Sequence, residues 1–222
     1  EFDVTFDVGA YLVWGKTPAS NFRHLSSGAY KIPAIYGSVL GVFTNTAPIG
    51  PYRGAGRPEA IYAVERLIDY AAHELDIDPV EFRRKNLIPA DSFPYENAVG
   101  ITYNSGNYEP ALDKALEILD YENARKMQLR LLKEGKYMGI GFSTFVENTG
   151  TGPSVPESGK IIVHENGDLT AYCGTADHGQ GHTTAFRQIL SDKLGVDMEC
   201  IEIREGDSDA LEHGVGTFGS RS

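Results

Sequence analysis

Three tight groups of glycines punctuate this 222-residue chain, and nothing constrains the fold more. The groups are Gly54 with Gly56, Gly179 with Gly181, and Gly214 with Gly216 and Gly219. Such spacing ends helices and strands alike, because each glycine adds backbone freedom and brings no side chain to bury. The chain must therefore turn sharply at three places, with its regular elements between them. Residues 1–50 read as strands and turns, with alternation over Val4–Val8 and a β-rich run from Tyr36 to Thr44. Beyond the first turn, Ile61, Val64, Leu67, Ile68, Ala71 and Leu75 form one apolar face, which predicts a helix from Pro58 to about Asp76. A short helix, Pro79 to Asn86, and a loop-like stretch over 88–108 follow. Pro110 to Glu134 reads as one long helix closed by Gly135.

The later part alternates strand and helix. Met138–Val146 reads as a strand and Thr149–Pro153 as a loop. Lys160–His164 and Leu169–Gly174 flank Asn166-Gly167, a hairpin signal. A helix, His182–Leu194, ends at Gly195, and Glu199–Arg204 is a further strand. The expectation is an α+β chain, with mixed β-sheets and packed helices, in two subdomains over residues 1–134 and 135–222.

Charge narrows the partners. A formal net charge of −11 repels phosphate backbones and anionic bilayers, which argues against nucleic acid and membrane. Any anion must be held by local groups. Cys173 and Cys200 lie in no CxxC pair, so neither a disulfide framework nor a zinc ribbon is supported. A reducing, cytoplasmic setting is the expectation. No apolar run approaches the ~20 residues of a membrane-spanning helix, and residues 1–4 show no signal-peptide pattern.

Each glycine group suggests chemistry. Pro51–Glu59 opens onto a helix N-terminus, where free amides favour an anion, and Arg53 and Arg57 add forked donors. The plainer reading is a tight turn with two solvated arginines. Gly174–His182 also runs from a strand into a helix and exposes the Gln180 amide between glycines, as a donor that never ionises. Its rival is a metal site from Asp177, His178 and His182, which lacks a helix face and a further strong ligand nearby. Gly214–Ser222 sets small hydroxyl residues and Arg221 among glycines, a composition suited to phosphate or pterin and shared with ordinary loops. His73, Asp69, Glu74, Glu81 and Glu117 read as helix-surface residues, and Glu147 as a loop-edge carboxylate.

Taken with Asp78-Pro79, Arg83–Pro89, Asn104–Tyr108 and Gly206–Asp209, these loops resemble the large subunit of the xanthine dehydrogenase, aldehyde oxidase and carbon monoxide dehydrogenase family. The order holds over almost the whole chain. The resemblance implies two subdomains of a molybdenum-cofactor-binding domain, carrying molybdopterin in the cytosine dinucleotide form. It implies oxidative hydroxylation of a small-molecule substrate with water as oxygen source. It further implies electron transfer to iron–sulfur and FAD subunits, and no direct protein ligand to the metal. By position, Gln180, with Gly179 and Gly181, is expected beside the molybdenum. Arg53 and Gly54 are expected on the pterin or metal side, and Thr217, Gly219, Ser220 and Ser222 on the pterin or its phosphates. Tyr52 and Ala55 are expected at the substrate pocket.

The sequence also departs from the family pattern. Gly54 stands where the carbon-monoxide-oxidising branch has a copper-binding cysteine, and Ala55 where the xanthine branch has a stacking phenylalanine. An aldehyde or similar small substrate is therefore expected. The family's general-base glutamate and an earlier Gly-Gln loop have no counterpart here, so the chain reads as part of a large subunit, inactive and cofactor-free by itself. It would need the remaining large-subunit segments, and exposed apolar faces would favour association, including homo-oligomers. The competing expectation is a non-catalytic remnant or interaction module with the same fold.

Overall fold

The computed structural model describes residues 1–147, 149 and 156–222. It divides into two compact units, Glu1–Glu147 and Asn148–Ser222.

In the first unit, β1 (Phe2–Gly9) and β2 (Gly37–Phe43) pair in parallel, from Phe2 opposite Gly37 to Asp7 opposite Val42. Parallel neighbours cannot be joined by a hairpin, so the chain crosses between them through α1 (Lys16–His24). That helix is absent from the sequence reading of residues 1–50. It buries only Pro18 and Phe22, too few apolar positions to show a period. Phe22 meets Phe2 and Phe6 edge-on, with ring centroids 5.4 and 6.0 Å apart, and with Leu25 and Ala60 it forms one core cluster.

The second cluster of this unit gathers Ala29, Tyr30, Val80, Leu87 and Leu112. It lies among α2 (Arg57–Glu74), α3 (Pro79–Asn86) and α4 (Glu109–Leu119). Asp78 caps α3 by accepting from Val80 N at 2.8 Å, ahead of Pro79 in the first helical turn. Between α3 and α4, two-residue strands β3 (Tyr95–Glu96) and β4 (Thr102–Tyr103) make a short antiparallel ladder.

The long helix expected over 110–134 is two helices. α4 stops at Asp120, whose φ of 52° is left-handed, and α5 (Tyr121–Lys133) begins at once. Aspartate tolerates that conformation better than most residues. The break lets Tyr121 donate to Asp78 Oδ2 at 2.7 Å and meet Phe142 edge-on.

Arg83 is the charged centre of this unit. It is fully buried, and its Nε and Nη2 donate to Glu65 Oε2 at 3.0 and 2.9 Å. Nη1 donates to Asp69 Oδ1 at 2.8 Å, and Nη2 also reaches Phe142 O at 3.1 Å. Tyr30 Oη donates to Glu65 Oε1 at 2.7 Å and is 2.5 Å from Thr144 Oγ1. Asp69 is thus a partner of a buried cation rather than a surface carboxylate. The same bonds explain why Met138–Val146 joins no sheet: side chains and Arg83 hold it against the helices instead. The units accordingly part after Glu147, beyond the 134/135 joint read from sequence.

In the second unit, β5 (Gly159–Val163) and β6 (Leu169–Cys173) form the expected hairpin. β6 pairs in parallel with β7 (Ile201–Glu205), again through a crossing helix, α6 (His182–Leu194). Gly181 and Gly195 take left-handed conformations at the two ends of α6. Leu169, Ala171 and Ile201 are buried. The loop expected at Thr149–Pro153 lies outside the described residues apart from Thr149.

Removing Arg83 leaves Glu65 buried without its cation. Arg83→Met is expected to lower stability by about 3–5 kcal/mol in urea unfolding, and E65L/R83M to recover much of that loss. A loss below ~1 kcal/mol for the single variant would show that the network carries little of the unit's stability.

Candidate functional site

The parallel register sets Cys173 directly beside Glu205 at the carboxyl ends of β6 and β7. Open sheets offer ligand sites at such ends, where a crossing loop leaves the strand. Here the leaving loop is Gly174–Gly181, and α6 begins with His182, which is buried. Glu205 Oε1 lies 2.7 Å from His182 Nδ1, accepts from Thr175 Oγ1 at 3.4 Å and is 3.6 Å from Cys173 Sγ. Phe186 stacks on the His182 ring at 4.8 Å. Burial, helped by Glu205, pushes the Cys173 thiol above its ordinary range, so it stays protonated and weakly reactive.

Gln180 turns back into its own loop. Its Oε1 accepts from His178 N at 2.6 Å, and its Nε2 is 2.9 Å from His182 Nε2 and 3.4 Å from Ala176 O. One N–H is firmly held, and the other only by a long bond. The amides of the turn are engaged differently from the sequence expectation. Asp177 Oδ1 accepts from Gly179 N at 2.7 Å and Gly181 N at 3.3 Å, so the chain's own carboxylate occupies a place expected for an anionic ligand. These N–H groups, Gly179 first, hold the Asp177 carboxyl below its ordinary value.

The loop after β7 docks along this one. Thr217 Oγ1 accepts from Ala176 N at 2.8 Å and donates to Ala176 O at 2.7 Å, and Gly216 N donates to Gly174 O at 3.3 Å. The backbones touch so closely that a Cβ on Gly174 would sit 2.5 Å from Gly214 Cα. Two of the three loops singled out from sequence are therefore one structure. Arg221 is not its phosphate donor. Its guanidinium pairs with Glu157 at 2.7 Å, donates to Gly216 O at 3.3 Å and lies over Phe218. Gly219, Ser220 and Ser222 are exposed, and among the described residues no acceptor lies on their N–H groups. Ser220 takes a φ of 54°. No carboxylate among the described residues bonds to Gly219, Ser220 or Ser222, and their neutral amides and two hydroxyls suit phosphate or pterin oxygens. The donor set fits a molybdopterin group.

In the first unit, Tyr52 and Arg53 stand exposed ahead of α2, and no hydrogen bond or ion pair engages the Arg53 side chain among the described residues. The turn is fixed from within. Ala55 N donates to Tyr52 O at 2.6 Å, Ala55 has a φ of 49°, and Asn21 Nδ2 donates to Ala55 O at 2.8 Å. A Cβ on Gly56 would lie 1.9 Å from Pro18 O, so only glycine lets this turn approach α1. Arg57, expected as a second solvated donor, is buried, donates to Gly54 O at 3.2 Å and pairs with Glu147 at 3.2 Å. Glu147 is thus an ion-pair partner.

The His182–Glu205 pair escaped the sequence reading because only the β6–β7 register joins residues so far apart. The rival metal-site reading of Asp177, His178 and His182 has no support in the geometry. Both His182 ring nitrogens face protein partners, and no group of three or more His, Cys, Asp or Glu suited to a metal ion occurs among the described residues.

Residues 1–87 and 114–222 match the family described as molybdopterin cofactor-binding domain. This chain belongs to the molybdopterin-binding large subunits of the xanthine dehydrogenase, aldehyde oxidase and carbon monoxide dehydrogenase family. It is 41% identical over 221 residues to the carbon monoxide dehydrogenase large chain of Hydrogenophaga pseudoflava, covering 93% of this chain and 27% of that one. Its fold is similar to reconstituted CO dehydrogenase from Oligotropha carboxidovorans, with a TM-score of 0.89 at 38% identity over 98% of this chain and 29% of that chain. Quinoline 2-oxidoreductase from Pseudomonas putida 86 is similar too, with a TM-score of 0.89 at 34% identity over 98% of this chain and 29% of that chain. The chain thus spans somewhat over a quarter of the length of these relatives. The family matches take in all three glycine loops. No helix among the described residues is long and apolar enough to cross a membrane.

Thr217→Val keeps the shape and removes both bonds to Ala176. Hydrogen exchange at the Ala176 amide is expected to rise at least ~10-fold, and unchanged protection would mean the two loops hold together without it. For Asp177 the sign follows from its depressed carboxyl: the charge stabilises the turn above the ordinary value of 3.8 and ceases to as pH falls through the lower folded value. The Gly179 and Gly181 amide shifts should titrate with a midpoint below 3.8, whereas a midpoint at or above it would show that the carboxylate does not hold the turn.

Proposed function

We propose that this chain is the cofactor-cradling portion of a molybdenum hydroxylase that oxidises an aldehyde or related small organic substrate. The observation that carries the reading is the docking of the Thr217 loop on the Gln180 loop. It brings the Thr217 loop alongside the Gln180 loop, beyond the carboxyl ends of β6 and β7. In this reading Thr217, Gly219, Ser220 and Ser222 hold the pterin and its phosphates, in the cytosine dinucleotide form. Gln180, shaped by Gly179 and Gly181, offers its loosely held N–H near the metal. Arg53 and Gly54 are assigned to cofactor binding and Tyr52 and Ala55 to the substrate pocket, as the family loop at 52–59 implies. Bound there, the molybdenum–pterin group supplies two-electron redox chemistry with water as the oxygen source, while the protein binds and orients.

Carbon monoxide is a poor substrate for this chain. The family's copper-holding cysteine corresponds to Gly54, where φ is 90° and a Cβ would lie 2.6 Å from Pro58 Cδ. A thiol cannot enter that position without rebuilding the turn. Ala55 likewise offers no ring to stack on a purine.

The general base lies outside this chain, so activity needs the remaining large-subunit segments. It also needs iron–sulfur and FAD subunits to take the electrons. Exposed Leu40 and Phe43 on β2, and Val163 and Ile189 in the second unit, are suited to contact with such segments. The half-buried free thiols Cys173 and Cys200 fit a reducing cytoplasm.

The complex isolated from its natural source is expected to contain molybdenum by elemental analysis and to release a cytidine nucleotide on acid hydrolysis. It should reduce a dye with an aldehyde and not with carbon monoxide. A complex with no molybdenum would overturn the reading, and dye reduction by carbon monoxide alone would overturn the substrate class.

A further inference from the structure

The bonds around Gln180 leave its amide one orientation. Backbone His178 N–H is a donor only, so the oxygen facing it at 2.6 Å must be Oε1. Ala176 O is an acceptor only, so the group facing it at 3.4 Å must be the NH2. That NH2 also lies 2.9 Å from His182 Nε2, which must therefore accept. An accepting Nε2 puts the ring proton on Nδ1, and Nδ1 lies 2.7 Å from Glu205 Oε1. Glu205 is an acceptor anchored on β7, its side chain 11% exposed, and Thr175 also donates to the same oxygen. Phe186, stacked on the ring at 4.8 Å, holds the imidazole in plane for both bonds.

We infer that Glu205 and His182 are positioning residues for Gln180. Glu205 fixes the imidazole as the Nδ1–H tautomer, and the imidazole holds one Gln180 N–H so that the second N–H is presented to a ligand. The argument for presentation lies in the unequal bonds. The N–H on His182 is short and backed by a buried carboxylate, while the N–H on Ala176 O is long and easily exchanged for a better acceptor. A ring with its proton on Nε2 would set donor against donor and turn the amide away. This orientation follows from atoms of this chain alone. Its functional meaning rests on the reading of Gln180 as a cofactor contact.

Among the described residues, these groups lie around the ring. Asp177 and Gln180 precede it on the loop, Phe186 follows on α6, and Glu205 faces it from β7 with Cys173 beside that carboxylate on β6.

The test uses the full chain labelled with 15N-histidine and 15N-glutamine. Long-range proton–nitrogen spectra near pH 7.5 are expected to show His182 with a protonated Nδ1 and a bare Nε2. A protonated Nε2 would overturn the inference without need of any variant. Glu205→Gln keeps the ring but weakens its bias, because an amide can donate as well as accept. It should mix the two tautomers, and water exchange of the Gln180 NH2 protons should rise with the fraction of ring protonated at Nε2. His182→Phe keeps the stack on Phe186 and removes the acceptor. It should speed that exchange by about 2- to 10-fold while α6 backbone protection stays unchanged. Gln180 exchange indifferent to both variants, with the helix intact, would overturn the positioning role. None of these measurements needs molybdenum. A complex lacking the metal therefore sinks the functional reading alone, and a wrong tautomer in a metal-containing complex sinks this inference alone.

Discussion

Each unit is organised around one parallel strand pair, and a parallel pair obliges the chain to leave one strand, cross the sheet and return. β1 and β2 are joined this way through α1, and β6 and β7 through α6. In the second unit the obligation produces the site. The loop leaving β6 must climb to the start of α6, and the register then brings the end of β7 alongside. That is why Glu205 meets His182, and why the segment after β7 has the Gln180 loop to dock against.

The charges of the chain follow a second logic. Of the arginines near the three glycine loops, Arg57 pairs with Glu147 and Arg221 with Glu157, and both side chains are largely buried. Arg83 sits deeper still, among Glu65 and Asp69. Burying such cations demands paired carboxylates, so these side chains serve the scaffold. At Gly219, Ser220 and Ser222 the donors are backbone amides and hydroxyls, in a chain whose net charge is −11. Under the proposed function they would hold the cofactor through geometry rather than through long-range attraction.

Glycine does separate jobs at the three turns. At Gly56 it admits the backbone of α1, and at Gly174 and Gly214 it lets two loops lie in contact. At Gly179 and Gly181 an added Cβ would meet nothing within 4 Å, yet both residues have positive φ. Those two are required by the turn itself, whose amides close onto Asp177. A composition that looks alike in all three loops thus serves close approach in some and chain reversal in another.

Much was legible in the residues because it depends on local periodicity and turn chemistry. The α+β class, the helix α2, the bounds of α3, the Asn166-Gly167 hairpin and the bounds of α6 all follow from spacings of a few residues, whereas the buried face of α2 does not, since Leu67 and Leu75 are exposed and Ala60, Glu65 and Ala72 are buried. The ordered loop motifs carried the family as well. What was not legible depends on neighbours distant in the chain. α1 exists because two strands lie parallel, the break at Asp120 because Tyr121 must reach Asp78, and the 138–146 segment is held by Arg83 instead of a sheet. Sequence determined which turns and elements this chain forms, since glycine conformational freedom and side-chain periodicity act within a few residues. Tertiary structure alone decided which charged groups are engaged with one another and how Gln180 is turned, because those outcomes come from hydrogen bonds between strands and loops that the chain itself keeps far apart.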